Sequence, residues 1–122
     1  AVRQVRSMLE LAVSKEGTGS KADVPGYRIA GKTGTVHKIV NGRYSRNRYF
    51  SLFAGIAPAS DPRLVMVIII DEPKSGAYYG GTVAAPVFGH TMGEALRILN
   101  ITPDDLPSMK MAGGPPAAGT RP

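Results

Sequence analysis

The chain has 122 residues, 43% of them hydrophobic, and a net charge of +6, a composition typical of one globular domain. It contains no cysteine, which excludes disulfides and thiolate metal sites. Its longest apolar run, Leu64–Ile70, is far shorter than the ~20 residues of a membrane-spanning helix, and no signal peptide is expected within these residues. Because the first residue is Ala1 rather than Met, we expect the chain to be a piece of a longer protein.

Residues 1–15 predict an amphipathic helix. Its apolar residues recur at helical spacing and form an expected buried stripe of Val2, Val5, Met8, Leu9, Ala12 and Val13. Gly17 and Gly19 end this helix, and the composition of residues 16–26 indicates a loop.

Three strand candidates follow, at Tyr27–Val40, Tyr49–Ala57 and Arg63–Asp71. The dipeptide Asn41-Gly42 after the first is a strong hairpin signal, and short connections favour antiparallel neighbours. The third strand contains the run LVMVIII, which is apolar on both faces and predicts a central strand covered on both sides.

A glycine-rich loop over residues 72–82 precedes a second predicted helix, Ala85–Leu99, with Pro86 near its first turn. The expected buried stripe of this helix is Phe88, Met92, Ala95, Leu96 and Leu99. Residues 1–106 thus form the ordered part, and residues 107–122, rich in Pro and Gly, predict a disordered tail. The order helix, three strands, helix indicates an α+β fold.

The positive charge is concentrated in the middle of the chain. No Asp or Glu occurs from Val24 to Ser60, whereas that window contains Arg28, Lys32, Lys38, Arg43, Arg46 and Arg48. A local positive field attracts anions such as phosphate, carboxylate or nucleic acid. A basic module that binds anions or nucleic acid without catalysis is therefore one hypothesis for the function.

The segment GYRIAGKTGT, residues 26–35, fits two motifs. Residues 26–33 match the phosphate-loop pattern, and residues 32–35 match the K-T-G of penicillin-interacting enzymes. A phosphate loop needs a preceding buried strand and a following helix, and the sequence predicts neither. We therefore favour a K-T-G strand.

Within such a strand, Gly31 and Gly34 indicate places where another backbone or a ligand approaches closely. Lys32 adds a cation, and Thr33 and Thr35 add hydroxyls, so an exposed edge here can bind a peptide by strand addition. Simple alternation places Lys32 on the opposite face from the two threonines.

Two further runs extend the K-T-G signal: GYRIAGKTGT is followed by RYFSLFAGIAPASDPRLVMVIIIDEP and then by YYGGTVAAPVFG. In this order they resemble the C-terminal end of class B penicillin-binding proteins, most closely the septal cell-division D,D-transpeptidase type. The resemblance covers roughly residues 1–106. It implies an antiparallel sheet whose remaining strands, and a helical subdomain, come from before this segment, which would leave the strand around Leu64–Ile70 partly uncovered here.

Such enzymes use three motifs, S-x-x-K, S-x-N and K-T-G, and only the third is present. Ser45-Arg46-Asn47 matches S-x-N in letters alone, because it follows K-T-G instead of preceding it. The resemblance implies catalytic roles for Lys32 and Thr35, with the Thr35 N–H as an oxyanion-hole donor. It implies substrate-binding roles for Thr33, Gly34, Thr35, Tyr78 and Tyr79, and no metal or organic cofactor.

The resemblance further implies that the whole protein cross-links peptidoglycan stem peptides ending in D-Ala-D-Ala at the periplasmic face of the inner membrane. β-Lactam antibiotics would acylate the same site. The implied partners are the preceding part of the protein, which carries the other two motifs, and the division machinery, with no nucleic acid. The isolated chain is expected to be inactive.

Overall fold

The computed structural model describes residues 1–74 and 79–107. In chain order the elements are α1 (Val2–Val13), a short 3-10 helix (Ser20–Ala22), β1 (Ala30–Val40), β2 (Arg43–Ala57), β3 (Leu64–Asp71) and α2 (Gly80–Ile98). The predicted α+β class, with three antiparallel strands and a helix before and after them, is confirmed. The predicted tail falls almost entirely on residues 108–122, which lie outside the described part of the chain.

The β1–β2 hairpin turns at Asn41 and Gly42, whose φ angles of 53° and 77° match the two-residue turn that Asn-Gly favours. β2 begins directly at Arg43, six residues earlier than predicted, because its pairing with β1 continues to the turn. The strand order is β1-β2-β3, so β1 is an edge of the described sheet.

One face of the sheet is covered by α2. Phe53 of β2 is fully buried, and its ring lies 4.6 Å from that of Phe88 on α2. Met92 and Leu96 continue the same buried stripe, as predicted. Leu99 is instead 57% exposed, because α2 ends at Ile98 and the chain turns at Asn100 with a φ of 54°.

α2 begins at Gly80, five residues before the predicted start, so Pro86 lies inside the helix and not in its first turn. Glycine is required at this start because the backbones approach closely. A Cβ on Gly80 would lie 2.3 Å from the carbonyl oxygen of Leu52, and one on Gly81 would lie 2.0 Å from that of Thr18. The glycines that suggested a loop are therefore the residues that allow helix-to-sheet packing.

β1 begins at Ala30, three residues later than predicted, because Gly26 and Arg28 bond to Asp104 and Asp105, which follow α2, instead of to β2. The backbone N–H of Arg28 donates to Oδ1 of Asp104 at 2.7 Å, and the N–H of Asp105 donates to the carbonyl of Gly26. Oδ2 of Asp104 also accepts from the hydroxyl of Ser60 at 2.6 Å. Asp104 thus fixes the entry to β1.

The far end of β1 is fixed by ion pairs. Lys38 Nζ lies 2.8 Å from Asp71 and 3.1 Å from Glu72, and Arg48 Nε lies 2.6 Å from Glu72. The neighbouring Arg48 guanidinium and Lys38 ammonium lower the pKa of Glu72 to about 2. These contacts join the hairpin to the end of β3.

Two apolar surfaces are uncovered in the described chain. On β3, a row on one face is exposed, comprising Val65 (77%), Val67 and Ile69. On α1, the predicted buried stripe is largely exposed, including Val2 (73%), Val5 and Met8, and only Val13 is buried. The prediction that β3 is covered on both faces is wrong for these residues. The uncovered face agrees with the expectation that the strand around Leu64–Ile70 is partly uncovered here.

Candidate functional site

The K-T-G residues lie in the first half of the edge strand β1, so Lys32 is in a strand and not at the start of a helix, which excludes a phosphate loop. The register pairs Lys32 with Ala54, on the face that also bears Val67 of β3. Thr33 pairs with Phe53, on the face that α2 covers. The expected alternation is therefore confirmed, and Lys32 and the two threonine hydroxyls lie on opposite faces.

Lys32 is exposed, and its Nζ donates to the backbone carbonyl of Thr33 at 3.1 Å. This contact folds the ammonium group back toward the strand backbone. The positive charge therefore lies close to β1 itself, where a ligand that pairs with the strand would meet it.

The two threonine hydroxyls have defined hydrogen-bond partners. Thr35 Oγ1 accepts from the backbone N–H of Gly80 at 3.1 Å, which places this hydroxyl at the N-terminus of α2. Thr33 Oγ1 is hydrogen-bonded to Thr18 Oγ1 at 3.2 Å. A hydroxyl has one proton to donate, so Thr33 can donate to a ligand when Thr18 donates to Thr33.

Between β1, the start of α2 and the loop before β1 is an open pocket of about 300 Å³. Its lining is rich in hydroxyls and contains one ammonium group; the residues are Thr18, Ser20, Lys21, Thr33, Thr35, Tyr79, Gly80, Gly81 and Thr82. The positive end of the α2 helix dipole favours negative charge nearby. The pocket is thus suited to a small anion such as a carboxylate.

The close approach predicted at Gly31 is confirmed, and it is made by the backbone and core of the protein itself. A Cβ on Gly31 would lie 2.6 Å from the ring of Phe53 and 2.8 Å from the carbonyl oxygen of Ala54, so this glycine makes room for the core and not for a ligand. At Gly34 the nearest atom would be the side chain of Leu52 at 3.3 Å. Gly34 therefore leaves more space on its own face.

The two predicted tyrosines have different outcomes. Tyr79 is 60% exposed, precedes α2 directly and lines the pocket. Tyr78 lies outside the described residues, so its predicted role stays a prediction. Ser45 and Asn47 bond to each other within the exposed hairpin, away from this pocket.

Sequence reasoning missed Thr18, Ser20 and Lys21, which line the pocket together with the K-T-G threonines. The sequence predicts a loop for these residues, and the hydroxyls and the lysine of that loop are the signal that could have identified them. No sequence pattern predicts that these residues lie beside β1, because their position depends on the close approach of Thr18 to Gly81 in the folded chain.

The basic window is partly neutralised by carboxylates from other parts of the chain. Arg28 pairs with Glu10 at 2.7 Å, and Lys38 and Arg48 pair with acidic residues at the end of β3. The side-chain hydrogen bond to Glu10 raises the pKa of Arg28. These pairings leave less free charge for phosphates than the sequence suggested, which disfavours the nucleic-acid hypothesis.

No cluster of three or more His, Asp or Glu side chains suited to a metal ion occurs within residues 1–74 and 79–107. Over the same ranges, no helix has the length and apolar character needed to cross a membrane.

Comparison with known proteins gives consistent matches. The family model "Penicillin binding protein transpeptidase domain" matches residues 1–93. The chain is 52% identical over 106 residues to "Peptidoglycan D,D-transpeptidase FtsI" of Escherichia coli (strain K12), covering 86% of this chain and 18% of that protein. It is 46% identical over 101 residues to "Stage V sporulation protein D" of Bacillus subtilis (strain 168), covering 83% and 16%.

Among solved structures, the apo TP domain of penicillin-binding protein 3 from Burkholderia pseudomallei matches with a TM-score of 0.75 and 46% identity. The match covers 84% of this chain and 31% of that one. The chain thus spans less than a fifth of the length of these curated relatives. With the family model matching most of its residues, the chain belongs to the penicillin-binding protein transpeptidase domain family.

Proposed function

We propose that the whole protein containing this chain is a peptidoglycan D,D-transpeptidase of septal cell-wall synthesis, acting at the periplasmic face of the inner membrane. This chain would supply the K-T-G wall of the active site. The observation that carries the proposal is the pocket in which Thr33 and Thr35 meet the start of α2, in a chain 52% identical to an FtsI protein.

In the proposed reaction, a serine from the preceding part of the protein attacks the carbonyl of the penultimate D-Ala of a stem peptide. The peptide bond breaks, the terminal D-Ala leaves with a proton, and an acyl-enzyme ester remains. An amine from a neighbouring stem peptide then displaces the serine and forms the cross-link. A β-lactam would be attacked in the same way, with opening of its ring.

The residues of this chain would act around that carbonyl. The hydroxyls of Thr33 and Thr35 would hold the terminal carboxylate, and the N–H of Thr35 would donate to the developing oxyanion. Lys32, on the opposite face, would keep the serine side of the cleft positive. Gly34 would admit the substrate backbone, and Tyr78 and Tyr79 would form an aromatic wall. The division machinery and the preceding segment are the proposed protein partners.

The test is to locate the site of acylation. The full-length protein is incubated with a penicillin, digested, and the adduct is mapped by mass spectrometry. We expect one acylated serine, outside residues 1–122. An adduct on a serine of this chain would contradict the assignment of roles, and no adduct at all would contradict the proposed activity.

A further inference from the structure

The lysine and the two threonines of the K-T-G segment lie on opposite faces of β1. Lys32 lies on the opposite face from Thr33 and Thr35, and its Nζ bonds to the backbone of the strand. The hydroxyls that would receive a carboxylate are therefore not on the same face as the ammonium group of their own motif. A carboxylate held by hydroxyls alone lacks the stronger, charge-assisted contacts that ionised donors provide.

Lys21 lines the pocket on the threonine side. It lies in the 3-10 helix Ser20–Ala22, eleven residues before Lys32 in the sequence. The structure gives Lys21 no ion pair with any Asp or Glu of the described ranges. Its ammonium group is therefore available to an anion that enters the pocket.

The segment that carries Lys21 is fixed in place. The N–H of Gly19 donates to the carbonyl of Ala12 at 2.8 Å, and that of Ala22 donates to Gly19 at 2.9 Å. Ala22 is fully buried, and a Cβ on Gly89 of α2 would lie 3.2 Å from its backbone. Lys21 thus projects from a short, packed helix and not from a free loop, so its position relative to Thr33 is set by the core.

We propose that Lys21 is a specificity-determining residue that supplies the cation for the terminal carboxylate of the peptide on the threonine face. This inference rests on the proposed function, because it concerns the same pocket and the same ligand class. It assigns the two lysines different tasks: Lys32 acts on the serine side of β1, and Lys21 acts on the carboxylate side.

The experiment measures binding of a ligand pair that differs in one charge. N-acetyl-D-Ala-D-Ala and its C-terminal amide are titrated into the full-length protein by ligand-observed NMR. The variants are Lys21→Met, Lys21→Arg, and Lys15→Met as a matched control, since Lys15 is an exposed lysine that does not line the pocket. Acylation by a penicillin is recorded on the same preparations.

We expect Lys21→Met to weaken binding of the acid by about 3- to 10-fold, the range for a partly exposed charge-assisted contact. Binding of the amide to Lys21→Met should not change. Lys21→Arg should bind the acid within about twofold of the unsubstituted protein. Lys15→Met should bind both ligands as the unsubstituted protein does. At about 1 M salt, where the screening length is ~3 Å, the difference between the unsubstituted protein and Lys21→Met should shrink.

The inference is overturned if Lys21→Met binds the acid as tightly as the unsubstituted protein does, or if the unsubstituted protein prefers the amide or binds neither ligand. It is also overturned if the substitution weakens acid and amide equally, because the effect would then be structural. Failure of the proposed function has a separate signature: no penicillin adduct forms on the unsubstituted protein, whatever the titrations show.

Discussion

Gly31 and Gly34, the two glycines near Lys32, should respond differently to alanine. In Gly31→Ala the new Cβ would lie 2.6 Å from the Phe53 ring and 2.8 Å from a backbone oxygen, so a fully buried ring packed on Phe88 must move. Overpacking of this kind costs typically 1–3 kcal/mol, and the upper end of about 3 kcal/mol is expected here because the backbone oxygen cannot move away easily. The reduced entropy of the unfolded chain offsets roughly 0.4–1 kcal/mol, so we expect a net loss of about 2 kcal/mol.

In Gly34→Ala the new Cβ would meet only the flexible side chain of Leu52 at 3.3 Å. A small shift of that side chain relieves the contact, so stability should change by less than about 0.5 kcal/mol after the same entropic offset. If Gly34 admits the substrate backbone, acylation by a penicillin should nevertheless slow in this variant.

Both variants are made in the full-length protein, with unfolding followed by calorimetry and acylation by a fluorescent penicillin. In a domain of roughly 150–250 residues, a loss of about 2 kcal/mol lowers the melting temperature by roughly 4–8 °C. The reasoning is refuted if Gly31→Ala melts no lower than Gly34→Ala, since the contact distances alone predict their order.

Three further outcomes are expected. Thr35→Val removes the acceptor for the Gly80 N–H, so it should lower the free energy of unfolding by about 1 kcal/mol and slow acylation. Thr35→Ser should retain most of the stability and most of the acylation rate. Equal losses in the two variants would show that the hydroxyl is not responsible. The pKa of Glu72 is depressed to about 2 from an ordinary value of 4.5, so its contribution to stability is present above about pH 4.5 and is lost as the pH falls toward 2. The difference in unfolding free energy between the unsubstituted protein and Glu72→Gln should therefore shrink as the pH falls over that range. A difference that does not depend on pH would contradict the ion-pair account. The isolated chain, with exposed apolar rows on β3 and α1, should bind a hydrophobic dye and melt without a sharp transition, and a cooperative melt of a monomer would count against this.

Local sequence patterns predicted the elements and the face of each K-T-G residue, because alternation along a strand and the Asn-Gly turn are properties of neighbouring residues. The start of α2 was missed because its glycines suggest flexibility until the backbones of Leu52 and Thr18 are seen beside them. The apolar composition of β3 predicts a strand covered on both faces, yet Val65, Val67 and Ile69 are exposed in the described part of the chain, because composition does not show which elements pack on a strand.

The candidate site was predicted on one side only. The K-T-G strand is a contiguous motif, so its residues were identified together. Thr18 and Lys21 reach the same pocket through packing of the preceding loop against α2, which no spacing rule encodes. Similarly, the carboxylates that neutralise Arg28 and Lys38 come from distant positions, so the basic window overstated the free charge.

β1, the strand that carries the K-T-G motif, is held by side-chain contacts at both ends. Asp104 holds the segment that enters it, and the Lys38 pairs with Asp71 and Glu72 hold the other end. β1 is also paired with β2 from Ala30 to His37, so the placement of Thr33 and Thr35 depends both on that pairing and on contacts that lie outside the pocket. Removing the side-chain contacts of Asp104 or Glu72 would therefore alter the position of the K-T-G residues, although the motif itself is unchanged.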